Sequence, residues 1–598
     1  MKYILKFGLP ISLIFFTAFI KPQQPKFFYK NALLTLENPD SVRLHEIINA
    51  VSEFNKKEFP IAYAGTQNDG QPTELGHFSP TDFAHTTAFY EKKLGELFSI
   101  QNENLGWEDQ INRELLIFTL DDNVKTYKNG LWMMPLLNDE GPQIDIVYFP
   151  SSLSFRTAGD YDNYIARLNK LPNYFSDWIS TLREGVQRGF TTPKIILDGY
   201  ETTWRSQYVT NPDSSKFFKP FLKMPATITD VEQKRILQAG RAAISTSVDK
   251  AFRDFGNFME NEYRPACRTS IGAYALPDGK KFYAQRIKYF TTLDKSAKEI
   301  HVLGLQEVAR IQIEMERIIK EVGFKGTFRE FLNSLRNNPK FYAKTPQELL
   351  EKASFIAKKA DGKLPAFFGK LPRQPYTVAP VPDYIAPRYT GGRYVPAPIE
   401  SNSPGTYWVN TYDLPSRPLY VLESLTLHEA VPGHHLQGSL TQELKGFPDF
   451  RQNLYINAFG EGWALYCEHL GIEMGFYQDP YAQFGRLTYE MWRASRLVVD
   501  TGIHEYGWTR EQVIDFLSEH TALSIHECTT ETDRYISWPG QALSYKIGEL
   551  KIRELRAHAE KTMGAKFDIR KFHDAILSEG TVTMGILEKL VKRFEEYK

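Results

Sequence analysis

The feature that most limits the fold of this chain is a helical pattern interrupted by one proline-rich stretch. Apolar residues recur every three or four positions from about Leu44 to Lys370, and again from Leu419 almost to Lys598. This spacing is typical of amphipathic helices. Between these regions, ten prolines fall within residues 370–418, which rules out a long helix there. We therefore expect a mostly α-helical protein.

The proline-rich stretch contains one segment with the character of a strand. Residues 406–411 are β-branched, aromatic or polar, and they are bounded by Pro404-Gly405 on one side and Asp413 on the other. Such a run predicts a short strand. Because prolines flank it, we expect this strand, spanning Gly405 to Asn410, to lie at the edge of a small sheet.

Composition excludes several classes of function. Lysine plus arginine and aspartate plus glutamate number 72 each, so there is no electrostatic case for a nucleic-acid partner or an anionic membrane surface. Hydrophobic residues make up 42% and charged residues 24% of the chain, which is typical of a globular protein and not of a disordered one.

The N-terminus has the pattern of an export signal. Lys2 and Lys6 precede an apolar run from Phe7 to Ile20, which is shorter than the roughly 20 residues needed to span a bilayer. We interpret residues 1–22 as a signal peptide or an uncleaved N-terminal anchor, with no other membrane segment. The mature chain, residues 23–598, is then a single exported domain, periplasmic or extracellular.

Cysteines are few. Cys267, Cys467 and Cys528 are the only three, so at most one disulfide can form and the chain is no disulfide scaffold. None lies near the N-terminal apolar run, which argues against a lipid-anchored lipoprotein.

The segment from His428 to His435 carries the strongest chemical signal in the chain. It begins with His428-Glu429 and ends, after four intervening residues, with His434-His435. Many zinc hydrolases use His-Glu-x-x-His, because residues four apart lie on the same side of a helix. Here the second histidine comes later. On a straight helix His434 would lie roughly 120° around and about 9 Å along from His428, too far to share a metal comfortably.

A proline and a glycine between the histidines offer a solution. Pro432 has no N–H, and its ring clashes with the carbonyl of His428, while Gly433 permits an unusual backbone path. The distortion could bring a later histidine back to His428. The alternative is a kinked core helix with incidental histidines, but buried charges are costly unless they are paired or bind metal. On these grounds alone, either His434 or His435 could be the second ligand.

A third ligand is expected from a later helix, because catalytic zinc needs three protein ligands and an open position for water. Glu461 and Glu468 lie on one side of an otherwise apolar helical stretch. Glu461 is our candidate ligand. Glu468, two turns further on, would hold a ligand histidine through its other ring nitrogen, or would be a surface carboxylate.

Four longer strings resemble the bacterial family catalogued as domain of unknown function 885: His428 to Gln437, Glu461 to Glu468, Arg496 to His504 and Asp533 to Lys546. The resemblance covers most of the mature chain and is strongest from Gly405 to the C-terminus. Members of this family look like helical zincin peptidases, distantly similar to the angiotensin-converting and oligopeptidase groups. The resemblance implies two lobes around a deep cleft, with the small strand near the metal.

The same resemblance implies roles for individual residues. In those groups the second ligand follows a glycine, which favours His434 and leaves His435 as the alternate. His504 and Tyr535, with Tyr545 as an alternative to Tyr535, are the residue types that stabilise an oxyanion in helical zincins.

Two arginines have two possible roles each. Arg496 and Arg534 could bind a peptide carboxylate with two hydrogen bonds. Alternatively, they could form ion pairs with Asp500 or Asp533.

Together these patterns predict an exported zinc peptidase. His428, His434 and Glu461 would hold Zn²⁺, and Glu429 would take a proton from the attacking water and pass it to the leaving amine. One alternative is a zinc-dependent amidase or esterase on a non-peptide substrate, although an edge strand favours peptides. Another is a non-catalytic exported peptide-binding protein. Glu429 argues against that, since purely structural zinc sites use four protein ligands.

Overall fold

The computed structural model describes residues 38–64, 71–383, 385–398, 403–452 and 454–596. The fold is mostly α-helical, which confirms the expectation from periodicity. The proposed signal segment, residues 1–22, lies outside the described residues. Up to the proline-rich stretch the helices are α1 (Pro39–Glu58), α2 (Pro60–Tyr63), α3 (Pro80–Phe98), α4 (Trp107–Lys128), α5 (Pro142–Tyr148), α6 (Ala158–Asn169), α7 (Leu171–Arg188), α8 (Thr202–Arg205), α9 (Asp230–Ala243), α10 (Asp249–Phe258), α11 (Arg264–Ala266), α12 (Gly279–Thr291), α13 (Ala297–Glu321), α14 (Phe328–Asn337), α15 (Pro346–Asp361) and α16 (Leu364–Phe367).

The proline-rich stretch forms a three-stranded sheet and, as its prolines predict, has no long helix among its described residues. Its strands are β1 (Tyr376–Pro380), β2 (Gly392–Val395) and β3 (Gly405–Val409). The strand predicted from Gly405 to Asn410 is therefore present, but its predicted edge position is wrong. β3 lies in the centre, parallel to β1 and antiparallel to β2. The prolines flank β3 without entering it, so its N–H groups can pair on both sides.

After the sheet the chain returns to helices, and these carry the candidate site. They are α17 (Leu422–Glu429), α18 (His434–Glu443), α19 (Asp449–Gln452), α20 (Asn457–Leu470), α21 (Pro480–His504), α22 (Arg510–His520), α23 (Ile525–Ser537), α24 (Ser544–Met563), α25 (Ile569–Ile576) and α26 (Met584–Glu596).

Several separate hydrophobic cores hold the described residues together. An aromatic-rich core is built entirely from residues 64–267. A second core packs β3 and α17 against α13 and α21, and a third surrounds α20, α24 and α26. The high aromatic content thus serves helix packing, especially in the first core. The arrangement of two lobes around a deep cleft stays a prediction.

α20 is held unusually close to α24. A Cβ on Gly462 would lie 2.6 Å from the Cα of Gly548 on the facing helix, so only glycine allows this approach of the two backbones. Because α20 carries Glu461 and is buried along most of its length, the close packing fixes the position of that carboxylate.

Two further observations concern disulfide bonds and membrane spans. Cys267, Cys467 and Cys528 are all buried and free, so the single disulfide that the sequence permits is absent from the described residues. Within the same residues, no helix combines the length and the apolar character needed to cross a bilayer.

Candidate metal centre

The chain between His428 and His434 breaks into two helices. α17 ends at Glu429, α18 begins at His434, and Ala430 to Gly433 connect them. The sequence predicted a distortion at Pro432, and the structure has a complete break there, with a cis peptide bond between Val431 and Pro432. Pro432 has no N–H to donate to the carbonyl of His428, so the helical ladder cannot continue.

Two contacts fix the connection between these helices. The backbone of Gly433 packs directly on α17: a Cβ at this position would lie 1.9 Å from the carbonyl oxygen of His428. On the other side, the indole Nε1 of Trp463 donates a hydrogen bond to the carbonyl of Pro432, at 2.9 Å. Trp463 is fully buried on α20. α20, which carries Glu461, therefore also holds the segment before His434 in place through this hydrogen bond.

The three sequence-predicted ligands lie together. Oε2 of Glu461 is 3.6 Å from Nε2 of His428 and 3.4 Å from Nε2 of His434. One nitrogen of each histidine and one carboxylate oxygen of Glu461 lie within 4.8 Å of one another. Among the described residues, no other group of three or more histidine, cysteine, aspartate or glutamate side chains is arranged in this way. His428 is buried, whereas the side chains of His434 and Glu461 are 16% and 14% exposed, so solvent reaches one side of the cluster.

His428 and Glu461 change each other's pKa, because the two side chains are in contact. Burial would lower the pKa of His428, but hydrogen bonding to Glu461 and Glu468 outweighs it and raises this pKa to about 10. Burial would raise the pKa of Glu461, but His434 and His428 together lower it well below the ordinary value. Glu461 is therefore an anion, the charge state in which a carboxylate can bind a cation.

Glu468 orients His428. Its Oε1 lies 2.8 Å from Nδ1 of His428, and its Oε2 accepts a hydrogen bond from the hydroxyl of Ser424 at 2.7 Å. Since Glu468 is only 2% exposed, the alternative of a surface carboxylate is wrong. The carboxylate fixes the imidazole so that Nε2 points to Glu461.

His435 points away from the cluster. Its Nδ1 lies 3.1 Å from the hydroxyl of Tyr394 and 3.2 Å from that of Ser439, and its ring packs against Tyr376. Burial lowers the pKa of His435 to about 4, so the ring is neutral. Of the two histidines, the structure brings to Glu461 the one that the resemblance favoured, His434, and not the alternate His435.

Glu429 is held by the small sheet. Its Oε2 accepts a hydrogen bond from the backbone N–H of Tyr394 in β2, at 2.8 Å. Among the described residues its Oε1 has no hydrogen-bond partner. Glu429 follows His428 directly and is 8% exposed. β2 thus positions one oxygen of this carboxylate and leaves the other available.

Tyr455 is a site residue that the sequence reasoning missed. Its hydroxyl donates to Oε1 of Glu461 at 3.1 Å, and the side chain is still 47% exposed. The residue precedes α20 in an irregular segment, so no helical spacing links it to Glu461. A tyrosine hydroxyl beside the candidate ligand carboxylate can both donate and accept hydrogen bonds.

The structure does not support His504 and Tyr535 as donors to a substrate, which corrects the roles that the resemblance implied. Nδ1 of His504 accepts from the N–H of Ala273, and its Nε2 lies 2.9 Å from the carbonyl of Tyr535. The hydroxyl of Tyr535 accepts from Trp492 and Arg496. His504 is fully buried and Tyr535 nearly so. Their polar groups are committed to the protein interior.

Arg496 and Arg534 do not form the expected ion pairs. Both guanidinium groups contact Oε2 of Glu531, at 3.0 and 3.5 Å. Asp500 instead accepts from the hydroxyl of Tyr283 and the N–H of Gly540. Asp533, the second acidic candidate, pairs with a different arginine, Arg510. Arg534 also donates to the hydroxyl of Tyr545, at 3.1 Å.

Comparison with solved structures gives close matches in fold. A crystal structure of a protein described as "the putative lipoprotein from Colwellia psychrerythraea" is 28% identical to this chain, with a TM-score of 0.85 over 94% of this chain and 100% of that one. A "putative lipoprotein of unknown function from Shewanella oneidensis" is 18% identical, with a TM-score of 0.67 over 92% and 99% of the two chains, and shares the fold. None of the curated proteins compared with the chain matches it.

The family comparison agrees with the motifs. The family described as "Bacterial protein of unknown function (DUF885)" matches residues 61–591, and this match includes the candidate metal-ligand cluster and the helices that build it. On this evidence the chain belongs to the DUF885 family.

Proposed function

We propose that this protein is an exported zinc-dependent peptidase. The observation that carries the proposal is the convergence of His428, His434 and Glu461, with Glu429 following the first of these residues directly in the chain. Two histidines and one carboxylate are a ligand set of catalytic zinc sites, whereas structural sites use four protein ligands. No fourth histidine, cysteine or acid joins the group within the described residues.

The distances in the cluster fit a zinc ion. Ligand atoms about 2.0–2.1 Å from a tetrahedral zinc lie about 3.3–3.4 Å from one another. Oε2 of Glu461 is 3.6 Å from Nε2 of His428 and 3.4 Å from that of His434. When bound, zinc supplies Lewis acidity towards a water and the scissile carbonyl.

Glu429 is the proposed general base. Its carboxylate takes a proton from the attacking water and delivers it to the leaving amine. The N–H of Tyr394 holds Oε2 at 2.8 Å, so Oε1 is the atom that accepts the proton. The side chains of His434 and Glu461 are partly exposed, which allows water and substrate to approach the candidate metal ligands.

Tyr455 is the proposed donor to the developing oxyanion, in place of His504 and Tyr535. Its hydroxyl donates to Oε1 of Glu461 at 3.1 Å, and the residue as a whole is 47% exposed. A hydrogen bond that strengthens as negative charge develops stabilises the transition state. Tyr455→Phe is therefore expected to lower kcat while leaving zinc binding nearly unchanged.

β2 supports a peptide as the substrate. The N–H of Asn410 donates to the carbonyl of Gly391, so the main-chain groups of Gly391 and Arg393 face β3. By the alternation of an antiparallel pair, the N–H and carbonyl of Gly392 and the carbonyl of Tyr394 face the opposite edge, where no described strand pairs and where the N–H of Tyr394 already donates to Glu429. An extended peptide can hydrogen bond along such an edge, and here the edge lies beside Glu429.

Export is proposed from the N-terminal pattern together with the similar protein from Colwellia psychrerythraea, whose description is that of a lipoprotein. Residues 1–22 are the candidate signal peptide or uncleaved anchor.

Digestion of a peptide library tests the function. The purified chain, with zinc and after chelation, is incubated with the library and with matched simple amides and esters, and products are identified by mass spectrometry. We expect cleavage of peptides that requires zinc. Cleavage confined to simple amides or esters would replace the peptidase proposal with that of an amidase or esterase. No cleavage of any substrate by the zinc-loaded chain would favour a binding protein.

A further inference from the structure

A cavity lies near the beginning of α17, and none of the candidate metal ligands lines it. Its volume is about 180 Å³, and much of its wall is apolar, with Val409, Leu422 and Leu425 among the contributors. An apolar cavity of roughly 150 Å³ is large enough to hold benzene. The space is therefore sufficient for a molecule with one aromatic ring or a comparable aliphatic group.

Polar groups without a well-formed hydrogen bond also line this cavity. Nε of Arg417 and the hydroxyl of Tyr420 are buried. Among the described residues Nε of Arg417 has no hydrogen-bond partner, and the hydroxyl of Tyr420 lies near that of Tyr342 without a well-formed hydrogen bond. Arg417 Nε–H can only donate, and a tyrosine hydroxyl can donate as well. Buried polar groups are nearly always hydrogen bonded in folded proteins. The cavity thus presents donors that require an acceptor.

Glu527 is the acidic group in the cavity wall. Its carboxylate makes no hydrogen bond or ion pair within the described part of the chain, and burial raises its pKa to about 7. The charged groups that face it are Arg417, Glu531, Arg493 and Arg496. Arg417 and Glu527 line the same space without pairing. When Glu527 is protonated it adds a further donor.

Arg336, the other arginine of the cavity wall, already has hydrogen-bond acceptors within the protein. The guanidinium of Arg336 donates to the main-chain carbonyls of Ser518, Thr521 and Leu523. Arg417 is consequently the cation available to a ligand. A carboxylate supplies the acceptor oxygens and the negative charge that complement it.

From these contacts we propose that the cavity binds a small apolar molecule ending in a carboxylate, with Arg417 and Tyr420 holding the carboxylate and Leu422 and Leu425 contacting the apolar part. Two sources share this chemistry: a free carboxylic acid, and the C-terminal residue of a peptide. Leu425 lies four residues before Glu429 on α17, about 6 Å along the helix. A peptide C-terminus in the cavity would therefore lie a few residues from the proposed base.

Binding is tested on the full chain by isothermal titration calorimetry, both as purified and after removal of metal with a chelator. A carboxylate probe that binds only to a metal ion will no longer bind after chelation. The probes are phenylacetate, phenylacetamide, and the tripeptide Ala-Ala-Phe with a free or an amidated C-terminus. The variants are Arg417→Gln, Tyr420→Phe and Glu527→Gln. Arg317→Gln, an exposed arginine on α13, is the matched control. Circular dichroism checks the fold of each variant.

Phenylacetate is expected to bind after chelation, about 10-fold or more tightly than phenylacetamide, because a hydrogen bond to a charged group is lost in the amide. Arg417→Gln should weaken binding by a similar factor and Arg317→Gln should not. Tyr420→Phe should weaken it several-fold, and this variant decides the matter if Arg417→Gln does not fold. In the wild type, affinity should fall as pH rises through about 7, where Glu527 ionises, and Glu527→Gln should remove this dependence.

Binding of Ala-Ala-Phe that depends on its free C-terminus and on Arg417 would identify the source as a peptide, and binding of phenylacetate alone would identify a free acid. Both outcomes support the site, and neither requires the peptidase proposal to hold. Equal affinity for acid and amide, wild-type affinity in folded Arg417→Gln and Tyr420→Phe, or no saturable binding of any acid would overturn the proposal.

Discussion

Nε2 of His434 lies 3.4 Å from Oε2 of Glu461, although the two residues belong to different helices, α18 and α20. The adjacent His435 has its ring against Tyr394 and Tyr376 instead. Two neighbouring histidines at the beginning of one helix therefore have separate roles. One contributes to the candidate metal centre and the other to the packing of the sheet.

The two histidines give a matched pair of variants. His434→Ala removes one of three proposed ligands and should abolish most zinc binding, because a catalytic site has no spare protein ligand. His435→Ala should bind zinc within about 10-fold of the wild type, since it touches the site only through Tyr394. Zinc per chain is measured by mass spectrometry after dialysis. The reverse pattern, with zinc lost only from His435→Ala, would contradict the ligand assignment.

Glu468 should tune the metal through His428. Its Oε1 lies 2.8 Å from Nδ1 of the imidazole, and glutamine would keep the shape while removing the charge. We expect Glu468→Gln to weaken zinc binding by about 10–100-fold. Competition with a chromophoric chelator measures the affinity. Glu473→Gln, a change at a carboxylate paired with Arg556, is the control. Unchanged zinc affinity in Glu468→Gln would remove this role.

Gly433 should be intolerant of a side chain. Its Cβ would lie 1.9 Å from the carbonyl oxygen of His428, so Gly433→Ala must displace the connection between α17 and α18. Overpacking of this kind typically costs about 1–3 kcal/mol in the free energy of unfolding. In Gly438→Ala, the control on α18, the nearest atom lies at 3.7 Å and no clash arises. Denaturant unfolding compares the two variants, and equal stabilities would show that the approach is not restrictive.

Asp500 should make stability depend on pH. Burial raises its pKa to about 7, above the unfolded value of 3.8. The folded state therefore binds this proton more tightly, so the stabilising contribution is complete below about pH 4 and is lost as pH rises through about 7.

Asp500→Asn removes this titration. The variant does not lose stability through this group as the pH rises. The difference in the free energy of unfolding, variant minus wild type, should therefore increase by about 4 kcal/mol between pH 4 and pH 8, at roughly 1.4 kcal/mol per pKa unit. Denaturant unfolding at several pH values measures the difference. A difference that stays constant across this range would show that Asp500 titrates normally.

Local chemistry made part of this structure predictable from the sequence. A proline cannot continue a helical ladder, so the break at Pro432 follows from one residue. The side chain of Thr229 accepts the N–H of Glu232 at the beginning of α9, and a threonine just before an apolar-periodic segment is a typical start of a helix. Glu461 was identified because it is a carboxylate in an apolar helix, a signal that needs no tertiary information.

Contacts between distant segments were not predictable in the same way. The bond from Tyr394 to Glu429 depends on the pairing of β2 with β3, and Gly392 to Val395 carries little strand signal of its own. Tyr455 reaches Glu461 from an irregular segment. His504 was chosen by residue type, and the structure shows both its nitrogens occupied by backbone groups. Residue type alone does not tell which way a buried side chain faces.

The central claim, hydrolysis with Glu429 as base at a zinc site, is tested most directly by kcat/KM and zinc content measured together. Glu429→Gln is compared with Glu423→Gln, because Glu423 also lies on α17 and also accepts a backbone N–H, that of Tyr477. We predict about one zinc per chain in both variants, with kcat/KM on a cleaved peptide reduced about 10²–10⁴-fold in Glu429→Gln only. Near-wild-type turnover in Glu429→Gln, or hydrolysis by the zinc-free chain, would contradict the account.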